Sequence, residues 1–131
     1  MKVVLDTNVL LAAFACGGVC REVLKTCILV DHIYLSEFIL EEFHRKLRDK
    51  FRMPEAESIA NIEFLHSRCH IVTPEIVDAS ACSDPNDLPV LGTLLAAEAD
   101  CLITGDKALL QMQTFKEFSI LSPREYLDIP R

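Results

Sequence analysis

The chain has 131 residues, half of them hydrophobic and a quarter charged, which predicts one globular domain with a single core rather than a disordered chain. Its net charge of −7 argues against tight, non-specific binding to long nucleic-acid duplexes. The apolar runs are too short to span a membrane and no signal peptide is recognised, so we expect no membrane association and a cytoplasmic location.

Strands and helices are predicted to alternate along the first half of the chain. The segment Lys2–Leu5 is apolar on both faces, as a central parallel strand is. The predicted elements that follow are helices over 7–15 and 19–29, broken at Gly17 and Gly18, a strand over 33–35, a helix over 37–50 capped by Ser36, and a helix over 54–68 with Ile59, Ile62, Phe64 and Leu65 available to pack.

The same alternation continues to the end of the chain. The predicted elements are a strand over 70–72, a connector over 74–81, a turn over 84–87, a helix to residue 99, a strand over 101–104, a short helix over 107–111, a strand over 118–121 and a terminal helical turn from Ser122. This order predicts a three-layer α/β/α domain around a central, mainly parallel sheet, with residues 1–131 forming one domain.

The predicted helix over 37–50 separates two adjacent glutamates. At about 100° per residue, its apolar stripe contains Ile39, Leu40, Phe43 and Leu47. Glu41 lies opposite this stripe and faces solvent. Glu42 lies on the flank, on the same side as Lys46, where it can face a cleft.

Acidic residues follow both buried strands of the predicted sheet. Asp6 ends the first strand and Asp106 comes just after the strand over 101–104, and sites in parallel sheets collect at the carboxyl ends of strands. Carboxylates brought together there repel unless a cation lies between them. With Asp84, Asp87 and Glu42, they predict a hard-oxygen pocket for Mg²⁺ or Mn²⁺.

A purely structural interpretation of these acids stays open from position alone. Asp6, Asp87 and Asp106 stand where an aspartate serves as a helix N-cap, and Glu42 can be an ordinary solvated residue.

Six cysteines raise the question of disulfides or zinc. They occupy positions of small hydrophobic residues and form no CxxC motif, so reduced and mostly buried thiols are expected, with Cys16 and Cys20 as packing residues. A zinc set of His66, Cys69 and His70 with Cys82 or Cys101 is the alternative, but its spacing matches no established zinc pattern.

The segment Val3–Leu10 resembles the opening signature of PIN-domain nucleases. Four more segments agree with that family in order and spacing, namely 36–43, 83–89, 101–106 and 122–127. The resemblance covers essentially the whole chain and is closest to VapC-like toxin components of toxin–antitoxin systems.

The resemblance implies cleavage of single-stranded RNA with Mg²⁺ or Mn²⁺ as cofactor. The four family acids match Asp6, Glu42, Asp87 and Asp106, and the supporting polar residues match Asn8 and Thr104. Asp84 is a companion acid. Because Leu88 stands where many members have an acid or amide, the choice of ligand between Asp84 and Asp87 stays open, with Asp87 favoured.

No Ser–His or Cys–His nucleophile motif is recognised, so the expected nucleophile is a metal-activated water. This mechanism leaves a 5′-phosphate and a 3′-hydroxyl, whereas attack by the RNA 2′-hydroxyl leaves a cyclic phosphate. Lys46 and Lys107 are the candidate contacts to RNA phosphate, although most of the basic run over 45–52 is expected to be a solvated helix face.

The sequence leaves two alternatives to the nuclease and suggests two partners. A catalytically inactive PIN-like module that binds RNA or protein remains the alternative, but such modules usually lose acids. An aspartyl phosphohydrolase is less favoured, because it needs an aspartate where this chain has Asn8. The expected partners are an antitoxin, docked in an apolar groove, and a second copy bound through the stretch over 19–29.

Overall fold

Six strands form one central sheet in this computed structural model, which describes all 131 residues. The strands are β1 (Lys2–Leu5), β2 (His32–Leu35), β3 (His70–Ile71), β4 (Cys101–Ile103), β5 (Thr114–Phe115) and β6 (Phe118–Leu121). Their order across the sheet is β3-β2-β1-β4-β6-β5. Neighbouring strands pair in parallel except β5 and β6, which form an antiparallel edge.

Helices flank this sheet. They are α1 (Thr7–Leu11), α2 (Gly18–Val30), α3 (Glu37–Asp49), α4 (Glu55–Arg68), α5 (Leu88–Ala97), α6 (Lys107–Met112) and α7 (Pro123–Leu127). Short 3₁₀ turns lie at Ala79–Ala81 and Pro85–Asp87. The predicted fold class is confirmed, because the sheet is mainly parallel and β1 and β4, its central strands, are buried almost throughout.

The two faces of α3 match the prediction. All four residues of its apolar stripe are at most 1% exposed. The Ser36 hydroxyl accepts a hydrogen bond from the backbone N–H of Ile39 and caps the helix. Glu41 is exposed and Glu42 is half-buried, so α3 presents one of the two glutamates beside the core.

Two predicted helices differ from the structure. The helix predicted over 7–15 is α-helical only to Leu11 and continues as a π-helical segment, Ala12–Cys16, which leaves Cys16 exposed rather than packed. In α4, Leu65 is buried, but Ile59 is 43% and Phe64 is 37% exposed. Because α4 packs on α3 in the outer layer, it has only one face to bury.

The cysteines also correct one prediction, and the burial of α2 limits where the predicted dimer surface can lie. All six thiols are free, but only Cys27 and Cys101 are fully buried. The apolar residues predicted to form a dimer surface mostly face the protein's own core, and the exposed ones lie at the end of α2, where Leu29 is 80% and Val30 is 58% exposed. None of the helices combines the length and hydrophobicity that a membrane span requires.

A buried ionic cluster holds the C-terminal segment against α2. The Asp31 side chain is inaccessible and receives both guanidinium nitrogens of Arg131 at 2.9 Å, the Tyr126 hydroxyl and the amino group of Met1 at 3.0 Å. Burial works to raise the pKa of Asp31, but these hydrogen bonds outweigh it and hold the pKa well below its usual range. The cluster therefore stabilises the fold through a charged carboxylate.

Replacing Asp31 with asparagine is expected to lower the free energy of unfolding at pH 7 by about 2 kcal/mol, because charge-assisted hydrogen bonds are lost. A carboxyl whose folded pKa is depressed contributes stability above its unfolded pKa, about 3.9, and loses that contribution as pH falls towards the folded value. Urea unfolding between pH 7 and pH 3 should thus show a smaller acid loss in Asp31→Asn than in wild type. The exposed Asp49→Asn is the control, and equal acid losses in both variants would contradict this role.

Candidate functional site

A small polar cavity of about 110 Å³, here called the carboxylate cavity, lies past the carboxyl ends of β1 and β4. Its lining residues are Asp6, Thr7, Asn8, Glu42, Lys46, Asp84, Asn86, Asp87, Val90 and Asp106. All five predicted acids are among them, although they come from four separate segments of the chain. The parallel register of β1 with β4 produces this convergence, because both strands end at the same edge.

Asp6 is held from both sides by hydrogen bonds. One carboxylate oxygen accepts from the backbone N–H of Thr7 at 2.8 Å, and the other accepts from the Thr104 hydroxyl at 2.7 Å. The residue is only 5% exposed. These bonds fix the orientation of the Asp6 carboxylate at the end of β1.

Thr104 connects the two strand ends. While its hydroxyl donates to Asp6, its oxygen accepts from the backbone N–H of Asp106 at 3.0 Å. Asp106 then caps α6, and a single oxygen, Oδ1, accepts from Ala108 and Leu109. Asp106 can therefore cap α6 and still line the cavity, since only one of its two oxygens accepts the capping hydrogen bonds.

Asp84 and Asp87 differ in whether their side chains make a capping hydrogen bond. Asp84 accepts a hydrogen bond from the backbone N–H of Asn86 at 2.9 Å, which closes the 3₁₀ turn. Asp87 stands at the N-cap position of α5 but makes no capping hydrogen bond, and it is only 8% exposed. The N-cap interpretation therefore does not account for Asp87.

The acids act on one another electrostatically. Burial is the main cause that raises the pKa of Asp87 to about 6, followed by the charges of Asp106, Asp6, Asp84 and Glu42. Burial also raises the pKa of Asp6, against the hydrogen bonds from Thr104 and Thr7, and the charges of Glu42 and Asp106 add to the rise. Negative charge is concentrated here at a cost in free energy.

The candidate substrate lysines have different positions. Lys46 lines the cavity, and its ammonium nitrogen lies 3.9 Å from a carboxylate oxygen of Glu42. Lys107 is exposed and is not among the lining residues, so the structure does not bring it to the site. As the first residue of α6, it directs its side chain to solvent while the preceding Asp106 faces the cavity.

Sequence reasoning missed two polar residues of the cavity. The Thr7 hydroxyl is buried and has no hydrogen-bond partner in the protein. Asn86 is exposed at the rim, and its place between Asp84 and Asp87 was a usable signal. Asn8, predicted as a supporting residue, is an exposed member of the lining.

The donor set fits a hard divalent cation, since carboxylate and amide oxygens surround the cavity. As placed, however, no three His, Cys, Asp or Glu side chains are close enough together to hold a metal ion. The alternative zinc residues have other contacts: His66 lies 3.6 Å from Glu37, and His70 stacks on Tyr34.

Comparison with known proteins gives a family and a fold. A search of curated proteins finds no match. Among solved structures, VapBC-1 from nontypeable Haemophilus influenzae matches at a TM-score of 0.67 and 19% identity, over 95% of this chain and 99% of that one. VapBC2 from Rickettsia felis, bound to a DNA fragment from their promoter, matches at 0.63 and 15%, over 93% and 98%. A family model described as PIN domain matches residues 2–108, and the chain therefore belongs to the PIN domain family.

Proposed function

We propose that this protein is a metal-dependent endoribonuclease that cleaves single-stranded RNA. The observation that carries the proposal is the convergence of five carboxylates on one cavity, where burial and then the charges of the other four raise the pKa of Asp87 to about 6. A fold that keeps repelling charges together gains from a bound cation, which removes the repulsion. Membership of the PIN domain family supports a nuclease.

Asp6, Asp87 and Asp106 are the proposed ligands of Mg²⁺ or Mn²⁺, with Glu42 and Asp84 beside them. Because the side chains are too far apart as placed, binding requires them to turn inwards. Asp87 can do so freely, since it caps no helix, and Asp106 has a second oxygen outside its cap. Asp84 keeps a free second oxygen too, but its bond to Asn86 restricts how its carboxylate can turn, which favours the uncapped Asp87 as the direct ligand.

When bound, the ion supplies an activated water and compensates charge on the scissile phosphate. The chain's own residues position these groups. Thr104 holds Asp6 and the Asp106 backbone in register, while Asn8 and Asn86 offer amides at the rim. Lys46 provides a positive charge towards the substrate phosphate. Attack by water leaves a 5′-phosphate and a 3′-hydroxyl on the products.

A role as the toxin of a toxin–antitoxin pair belongs to the same proposal. Two structural neighbours are VapBC proteins, and this chain aligns along nearly all of each matched chain. An antitoxin would then be the cognate partner. A homodimer remains a further prediction, for which the exposed end of α2 at Leu29 and Val30 is the available apolar surface.

Cleavage of an end-labelled single-stranded RNA with Mg²⁺ or Mn²⁺ tests the activity. Asp6→Asn and Glu42→Gln are each expected to reduce kcat by about 100-fold or more, because charge at the reacting centre is lost. Glu41→Gln is the matched control, since this neighbouring glutamate is exposed and outside the carboxylate cavity. Cyclic-phosphate ends would contradict the water mechanism. RNA binding without cleavage would favour the inactive binding module.

Thermal unfolding tests the ion without relying on activity. At an ion concentration 100 times the dissociation constant, one bound ion stabilises the fold by about 2.7 kcal/mol, which raises the Tm by roughly 5–10 °C.

Without metal, Asp87→Asn should be more stable than wild type by about 1–2 kcal/mol at pH 7.5, because one repelling charge is removed. The same variant should lose most of the metal-induced rise. A full rise in Asp87→Asn would exclude this residue as a ligand.

Lys46→Ala is expected to raise KM about fivefold by removing one phosphate contact. It should also reduce the slope of log affinity against log salt by about 0.7, the value for one contact to a single strand. Lys25→Ala is a matched control, because this exposed lysine lies 3.7 Å from Glu22 on α2, as Lys46 lies near Glu42. Unchanged KM and salt slope in Lys46→Ala would remove Lys46 from the substrate path.

A further inference from the structure

A second cavity adjoins the carboxylate cavity. This α6 pocket has a volume of about 290 Å³ and is lined by Ala81, Cys82, Ser83, Asp87, Ala108, Leu109, Gln111 and Met112. Asp87 lines both cavities, so its side chain forms part of a shared wall. We propose that the α6 pocket binds one nucleobase of the RNA strand, next to the scissile phosphate; this assignment rests on the proposed function.

The two walls of the pocket explain why it adjoins the acids. One wall is the segment 81–83, which leads directly into Asp84 and Asp87. The other is α6, which begins immediately after Asp106. A nucleotide whose phosphate reaches the carboxylate cavity therefore has its base within reach of the pocket, because the segments 81–87 and 106–112 each contribute lining residues to both cavities.

The chemistry of the lining favours the base over other parts of the RNA. The pocket contains no lysine or arginine, and its single charged residue is Asp87, so a phosphate would be repelled. Ala81, Ala108 and Met112 offer apolar surface for the flat faces of a ring. The volume lies just below the roughly 300–1,000 Å³ of drug-sized ligand pockets and is too small for a protein helix.

Polar groups at the mouth can recognise the edge of the base. Gln111 and Ser83 are exposed, and the Gln111 amide offers both a donor and an acceptor, as nucleobase edges require. The Cys82 thiol donates to the carbonyl of Asp84 at 3.3 Å, which holds this side chain in the wall of the pocket.

Binding of nucleosides tests the pocket independently of catalysis. The protein has three methionines, so NMR with methyl-labelled methionine gives Met112 as the reporter and Met1 and Met53 as internal controls. Titration with each of the four neutral ribonucleosides, without metal, is expected to move the Met112 signal alone. Ala108→Trp, which fills the pocket, should raise the half-saturation concentration about 10-fold or more. Ala60→Trp on an exposed face of α4 is the matched control.

Recognition of the base is measured by cleavage of an RNA pool with randomised positions. Wild type is expected to prefer some bases at one position beside the cut, and Gln111→Leu should reduce that preference about threefold or more. A Met112 signal that moves with no nucleoside, or moves equally in Ala108→Trp, overturns the proposal, as does an unaltered profile in Gln111→Leu. Nucleoside binding at Met112 without RNA cleavage would instead overturn the proposed function and leave the pocket standing.

Discussion

Mutual repulsion among the acids past β1 and β4 is the constraint on which the rest of this structure depends. Burial is the main cause that raises the pKa of Asp6 and of Asp87, and the charges of neighbouring carboxylates add to both rises because water cannot fully screen them. The protein holds them in place with rigid backbone: two central parallel strands and the hydroxyl of Thr104 between them. Stability alone gives no reason to gather these charges, whereas the binding of a cation does.

Helix capping and the proposed ion binding, which looked like competing explanations, do not exclude each other. Asp106 caps α6 through Oδ1 alone, and Asp6 accepts one hydrogen bond on each oxygen. A cap fixes the direction of a carboxylate, which preorganises the remaining lone pairs for a ligand. Asp87 differs because it makes no cap, so it is the acid most able to adjust its position.

The sequence predicted what depends on periodicity and strand order, and missed what depends on packing between distant segments. The α3 stripe and the position of Glu42 follow from helical geometry alone, and so they were predicted correctly. The π-helical segment Ala12–Cys16 and the exposure of Ile59 depend on how neighbouring helices pack, which no local pattern reveals. The absence of Lys107 from the cavity lining has a similar reason, since adjacency to Asp106 does not determine the direction of a side chain.

The acidic cavity and the negative net charge of the protein both repel an RNA ligand. A phosphate that approaches five carboxylates meets a repulsive field, and Lys46, the only basic residue of the lining, is already paired with Glu42. A divalent cation would reverse the sign of this field locally, so affinity for RNA and catalysis should both depend on it. The α6 pocket would add neutral contacts that need no positive surface. The net charge of −7 is therefore compatible with selective binding of RNA, because the attraction would be confined to one small site.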